Sequence, residues 1–249
     1  MASVPAGLEG AMTQQDLQDY MDKKPFAKLR DVVYDLLYDK ITGLEIKPGT
    51  KLNINQIAAS LGISRTPIAE AVTLLYEKGF VVTHPEVSGY FVLSLSMSDM
   101  INLYSMRGAV ECEAASLCTE RADKETIRRL ETLAQEFETC VVSKDIRGMI
   151  DTDLPFHGLI VKSSQNTYIQ QCYDLILPKL TMYEASMMEF IGTRHENPWS
   201  SSVLYNHSAI VSAIKMHIPT LARQAMNDHV RASLNFTLFS NDGTDPFKS

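Results

Sequence analysis

Residues 53 to 79, NINQIAASLGISRTPIAEAVTLLYEKG, constrain the fold more than any other stretch of this chain. Ile54, Ile57, Ala58 and Leu61 fall on one helical face, Asn53 and Gln56 make a capping pair, and Gly62 ends the helix. Ser64 or Thr66 can cap a second helix, and Pro67 is tolerated in its first turn because N–H groups there have no intrahelical partner. Ile68, Val72, Leu75 and Tyr76 supply its buried face, and Gly79 its stop. Two helices joined by a short Gly-containing turn form a helix-turn-helix, whose second helix enters the DNA major groove N-terminus first. Ser64, Arg65 and Thr66 then face the duplex: hydroxyls and a helix N-terminus suit phosphate, and Arg65 suits phosphate or a guanine edge. An ordinary αα-hairpin in a helical core is the competing reading of the same residues.

The next run, FVVTHPEVSGYFVL, alternates apolar and polar residues, which predicts strands at 80–83 and 90–93 in a hairpin around Pro85, Ser88 and Gly89. Two helices followed by a hairpin make a winged helix. Upstream, Pro25 and Phe26 are expected to open a helix with an apolar stripe of Phe26, Leu29, Val33, Leu36, Leu37 and Ile41, closed by Gly43 and packed behind the helix-turn-helix.

The stretch KPGTKLNINQIAASLGISRTPIAEAVTLLYEKGFVVTHPEVSGYFV resembles the DNA-binding domain of the GntR family of bacterial transcription regulators, most specifically in its SRTP core and in the Pro-Gly before the second helix. The resemblance implies DNA contact at Lys51, Asn55, Ser64, Arg65, Thr66 and Gly89. The family usually carries DNA-contacting arginines where this chain has Asn55 and Ala69, so operator affinity or sequence is expected to differ.

With 45% hydrophobic residues, 249 residues can build two cores, and no run approaches a membrane span. Residues 1–22 lack a basic start followed by an apolar block, so a mobile tail is expected rather than a secretory signal, in a cytoplasmic protein. Four cysteines without C-x-x-C spacing point to reduced thiols. The net charge of −7 argues against an indiscriminate nucleic-acid binder. Residues 21–95 carry 9 Lys and Arg against 8 Asp and Glu, while residues 96–249 carry 14 against 19. Lys47, Lys51 and Arg65 would have to do much of the phosphate work, so DNA binding should lean on a homodimer.

Beyond Leu95 the pattern is helical. Ser96 and Asp99 cap a helix running to about residue 122, and further helices are expected at about 124–143, 145–163, 167–192, 200–217 and 219–240. The expected architecture is mostly α: a winged helix-turn-helix over 23–95, an all-α antiparallel bundle of six or seven helices over 96–240, and a tail at 241–249. In this bundle Asp153 and His157 lie four apart on one helix face, and His207 and His229 come from two later helices. Three imidazoles and a carboxylate converging in a bundle make a divalent transition-metal site, zinc first, with nickel, manganese or iron as alternatives. A solvated Asp-His pair and hydrogen-bonded structural histidines are the bland readings of the same spacing. Pro155 lies between Asp153 and His157, where it is expected to kink the helix.

Residues 97–238 resemble the FadR-type C-terminal ligand-binding domain, the FCD domain of one large GntR subgroup. Its metal-binding members carry a D-x-x-x-H pair, a histidine starting the penultimate helix and another in the last helix, which correspond to Asp153, His157, His207 and His229. The resemblance also implies that Arg107, in LYSMRGAVECEAA, faces the carboxylate of a small effector, whereas spacing alone equally offers a salt bridge to Glu111. The leading expectation is a non-enzymatic, ligand-responsive regulator binding double-stranded operator DNA with inverted-repeat symmetry. The alternatives are a hydrolase-like metalloenzyme fused to a DNA-binding module, although no H-E-x-x-H arrangement is present, and a regulator with a purely structural metal.

Overall fold

Thr13 and Asp16 cap each other reciprocally at the start of a helix, α1 (Gln14–Lys23), in a segment whose few apolar residues predict only a tail. The computed structural model describes residues 11–192 and 207–239. The expected tails at 1–10 and 241–249, the loop expected after Gly192 and the expected helix start at 200–206 lie outside them. For residues 14–22 the mobile-tail expectation is overturned. Met12 and Leu17 are buried, the Tyr20 hydroxyl donates to Asp39, and Lys40 lies 3.6 Å from Asp16. Leu17, Tyr20 and Met21 make a stripe only one turn long among Gln, Asp and Lys, so this helix is specified mainly by its cap and its docking.

The next helix, α2 (Leu29–Thr42), starts later than expected. A turn with Ala27 N–H donating to the Lys24 carbonyl leaves Phe26 wholly exposed, and the buried stripe is Val32, Val33, Leu36, Leu37 and Ile41. It packs against α4 (Arg65–Glu77), the second helix of the helix-turn-helix; the first is α3 (Ile54–Leu61). Asn53 caps α3 by accepting from the N–H groups of Asn55 and Gln56. Ser64 stands at the N-cap of α4 without a side-chain cap bond, and Tyr76, expected in the core, is 45% exposed and meets Tyr90 edge-on. Three strands form the wing: β1 (Lys51–Leu52), β2 (Val81–His84) and β3 (Val87–Val92), in the antiparallel order β1-β3-β2. The hairpin turns at Pro85 and Glu86, so Ser88 and Gly89 belong to β3 rather than to the turn. Two-residue β1 was not expected, because two residues cannot display an alternation.

Gly62 terminates α3 in the left-handed region at φ +66°. A Cβ there would come within 2.4 Å of the Gln14 side-chain amide of α1, a flexible end that can turn away, so the left-handed backbone is the main obstacle. Gly62→Ala is therefore expected to destabilise the winged-helix unit by about 1 kcal/mol. Denaturant unfolding measures it, and an unchanged midpoint contradicts it.

Residues 96–249 form the second unit, with six helices among the described residues: α5 (Met97–Arg121), α6 (Lys124–Ser143), α7 (Ile146–Ser163), α8 (Thr167–Gly192), α9 (His207–Lys215) and α10 (Pro219–Phe239). Ser96, Asp123 and Asp145 cap α5, α6 and α7 through their side chains. Helix α5 runs through the middle, packing on α7, α8, α9 and α10, while α6 packs on α7 and α9. Ala114, Ala115 and Cys118, all fully buried, give α5 a narrow face that lets its neighbours approach. No helix of the described residues is long and apolar enough to cross a membrane.

Candidate metal centre

Asp153 and His157 project from α7, His207 is the first residue of α9, and His229 lies on α10. One ligand atom from each lies within 4.8 Å of all the others, and all four residues are buried. His157 Nε2 faces His229 Nε2 at 3.1 Å, and Asp153 Oδ1 is 3.1 Å from His207 Nε2 and 3.8 Å from His157 Nε2. Pro155 lies inside α7 without ending it, and Asp153 and His157 still converge. Tilted ring contacts hold His207: its ring centroid is 4.2 Å from that of Phe156 and 4.6 Å from that of Phe137.

The donors fit a divalent transition metal on chemical grounds. His207 Nε2 has no aligned hydrogen bond, only the Asp153 carboxylate 3.1 Å away, and His157 and His229 point ring nitrogens at one another, where at most a single proton can lie between two lone pairs. A cation at the point of convergence removes both deficits. Burial pushes the His207 and His229 pKa values down, so both rings are neutral and ready to ligate near pH 7. Burial raises the Asp153 pKa, but the nearby His157, His207 and Arg107 outweigh it and hold the carboxyl well below its usual range. A histidine whose Nε2 binds a cation carries its proton on Nδ1, and Glu111 Oε2 stands 2.7 Å from His157 Nδ1 to accept it.

Arg107, on α5, is 1% exposed and surrounded by carboxylates. Its Nε donates to Glu111 Oε1 at 2.8 Å and its Nη1 to Glu184 Oε1 at 3.1 Å. Its Nη2 has no hydrogen-bond partner and lies 3.6 Å from Asp153 Oδ2. The salt bridge to Glu111 is thus formed, and one face of the guanidinium still has hydrogens to donate. The bond to Glu184 and the Glu111 contact to His157 were missed in the sequence. The available signal was Glu184 itself, a carboxylate set among the apolar α8 residues Leu180, Met182, Tyr183 and Ala185.

In the winged-helix unit, Lys51, Asn55, Arg65, Thr66 and Gly89 line one groove of about 880 Å³, together with Ala69 and Glu70. Ser64 is exposed at the mouth of α4 but does not line this groove. Lys51 Nζ lies 5.6 Å from the centre of the Phe91 ring, and a Cβ at Gly89 would come within 2.9 Å of Lys51 Cε. Glycine at φ +122° thus keeps the wing open for the lysine stem.

Comparison with known proteins agrees with both units. Residues 29–92 match the family of bacterial regulatory proteins called the gntR family, and residues 102–232 match the FCD domain. An uncharacterized HTH-type transcriptional regulator of Bacillus subtilis, YdhC, is 28% identical over 207 residues, spanning 81% of this chain and 86% of that protein. The gluconate operon transcriptional repressor of the same organism is 24% identical over 199 residues, 80% of each chain. The solved structure of E. coli McbR/YncC shares the fold at a TM-score of 0.69 with 16% identity, covering 87% of this chain and all of that one. Since the FCD match alone spans more than half of the residues, with a winged helix of the right family before it, this chain belongs to the GntR family of transcription regulators, in the group with a C-terminal FCD domain.

Proposed function

We propose that the protein is a homodimeric, ligand-responsive regulator that binds an inverted-repeat operator, and that a small organic acid at the Asp153, His157, His207 and His229 centre sets its affinity for DNA. The observation that carries this reading is the convergence of these four buried donors beside an arginine with an unengaged Nη2. A divalent ion held by these residues, zinc being the first candidate, offers its remaining coordination positions to carboxylate oxygens. Arg107 Nη2 supplies the charge-assisted hydrogen bond that orients the same acid. A ligand that ties α5, α7, α9 and α10 together more tightly in one arrangement than in another shifts the equilibrium between them, which is what a switch requires. The relatives that span four-fifths of the chain are named as transcription regulators, which supports regulation over catalysis in the bundle.

Gel-shift titration of operator DNA, with and without candidate acids on metal-loaded and metal-stripped protein, tests this reading. A response to an acid that needs the metal supports it. Metal-dependent substrate turnover, or an equal response after stripping, contradicts it.

DNA recognition has its own test. Arg65 is exposed on the first turn of α4, in the groove that also holds Lys51, Asn55 and Thr66. Arg65→Ala is expected to weaken specific binding by about 1–3 kcal/mol if the side chain reads a base. A loss that is uniform over all DNA sequences would make it a phosphate contact instead. A footprint without two-fold symmetry contradicts the dimer.

A further inference from the structure

We propose that Glu184 is the amine-recognising half of the effector site, and that the effector is an amino-carboxylate, carrying an ammonium group beside its carboxylate. The inference rests on the reading that the metal centre binds an effector. Its starting point is an imbalance: three buried carboxylates, Glu111, Asp153 and Glu184, share the single guanidinium of Arg107. One Glu111 oxygen accepts from Arg107 Nε and the other stands 2.7 Å from His157 Nδ1, while Asp153 belongs to the converging metal donors. Glu184 does not belong to that set. One of its oxygens accepts from Arg107 Nη1, while the other, Oε2, is buried with no hydrogen-bond partner, in a residue only 5% exposed.

An unengaged acceptor on Glu184 and an unengaged donor on Arg107 Nη2 therefore flank the metal centre, joined through one salt bridge. A molecule with a carboxylate at one end and an ammonium nearby satisfies both. Charge supports the same choice. Glu184 and Asp153 crowd the same buried guanidinium, so each carboxyl lies close to another acidic group as well as to the cation. An ammonium placed against the free Glu184 oxygen relieves that crowding, which a hydroxyl or a hydrocarbon does not. The hydroxyl of Tyr173, on the same helix as Glu184, is also buried without a partner and is available for a further polar group of the ligand.

The test is calorimetry on full-length, zinc-loaded protein with two matched sets of probes: L-alanine, L-lactate and propionate, and L-glutamate, 2-hydroxyglutarate and glutarate. In at least one set the amine is expected to bind about tenfold or more tighter than its hydroxyl and unsubstituted counterparts, as a charge-assisted hydrogen bond requires. Glu184→Gln is expected to bring that ratio close to one with the zinc content unchanged. A hydroxy acid or plain acid that binds the wild type as tightly as the amine overturns the proposal, and so does a preference that survives Glu184→Gln. If the variant does not fold, the wild-type ranking decides alone. Failure of every probe to bind zinc-loaded wild type overturns the effector reading itself and this inference with it. Equal binding to zinc-free protein overturns only the role of the metal.

Discussion

Replacing Arg107 by Leu is expected to destabilise the bundle by about 3–5 kcal/mol, because removing one partner of a buried ion pair leaves the others charged and unpaired. Here Glu111 and Glu184 both lose their hydrogen-bond donor, with side-chain exposures of 0% and 6% that bar water from replacing it. Glu184 already shows the strain. Burial and the neighbouring Asp153 charge push its pKa well up even with Arg107 in place. In a chain of this size the loss corresponds to a fall in melting temperature on the order of 10 °C. Adding Glu184→Gln to Arg107→Leu removes one of the two carboxyls left without a donor and should recover part of the loss, a coupling that a double-mutant cycle measures. A single-variant loss below about 1 kcal/mol in denaturant unfolding would mean that the network relaxes or hydrates freely.

Replacing His207 and His229 together by Ala is expected to reduce bound metal from about one ion per chain to nearly none. The response to an effector acid should vanish with it, while a folded dimer still binds operator DNA. Elemental analysis and a DNA-binding titration on the double variant read both outcomes. Since a ligand that binds only the folded state stabilises it by mass action, stripping the metal should lower wild-type stability by roughly 3 kcal/mol at a hundredfold excess over Kd. The double variant should not respond to the chelator. An undiminished response to the acid would remove the metal from the effector site, and failure of the variant to fold would make the ion structural.

Local rules explain what the sequence determined by itself. Capping at Asn53 and Ser96, the stop at Gly62 and the apolar stripes of α3 and α4 depend on residues three or four apart, so they are legible in one dimension. The two-unit organisation and the winged helix followed from the order of those elements. The four metal-ligand candidates were nameable because spacing and family resemblance pointed to them, but their proximity was not. It requires α7, α9 and α10 to meet, a consequence of packing around α5.

Tertiary structure alone decided three matters. Helix α1 has a local start in the Thr13 and Asp16 cap, but only docking decides that it persists: Leu17 is buried and Tyr20 reaches Asp39. Strand β1 exists because Lys51 and Leu52 pair with Phe91 and Tyr90, a partner chosen by topology rather than by local propensity. Glu184, 77 residues beyond Arg107, joins the centre only when α8 packs on α5. A carboxylate in an apolar helix tells the reader that a buried partner must exist, and only the assembled fold tells which one.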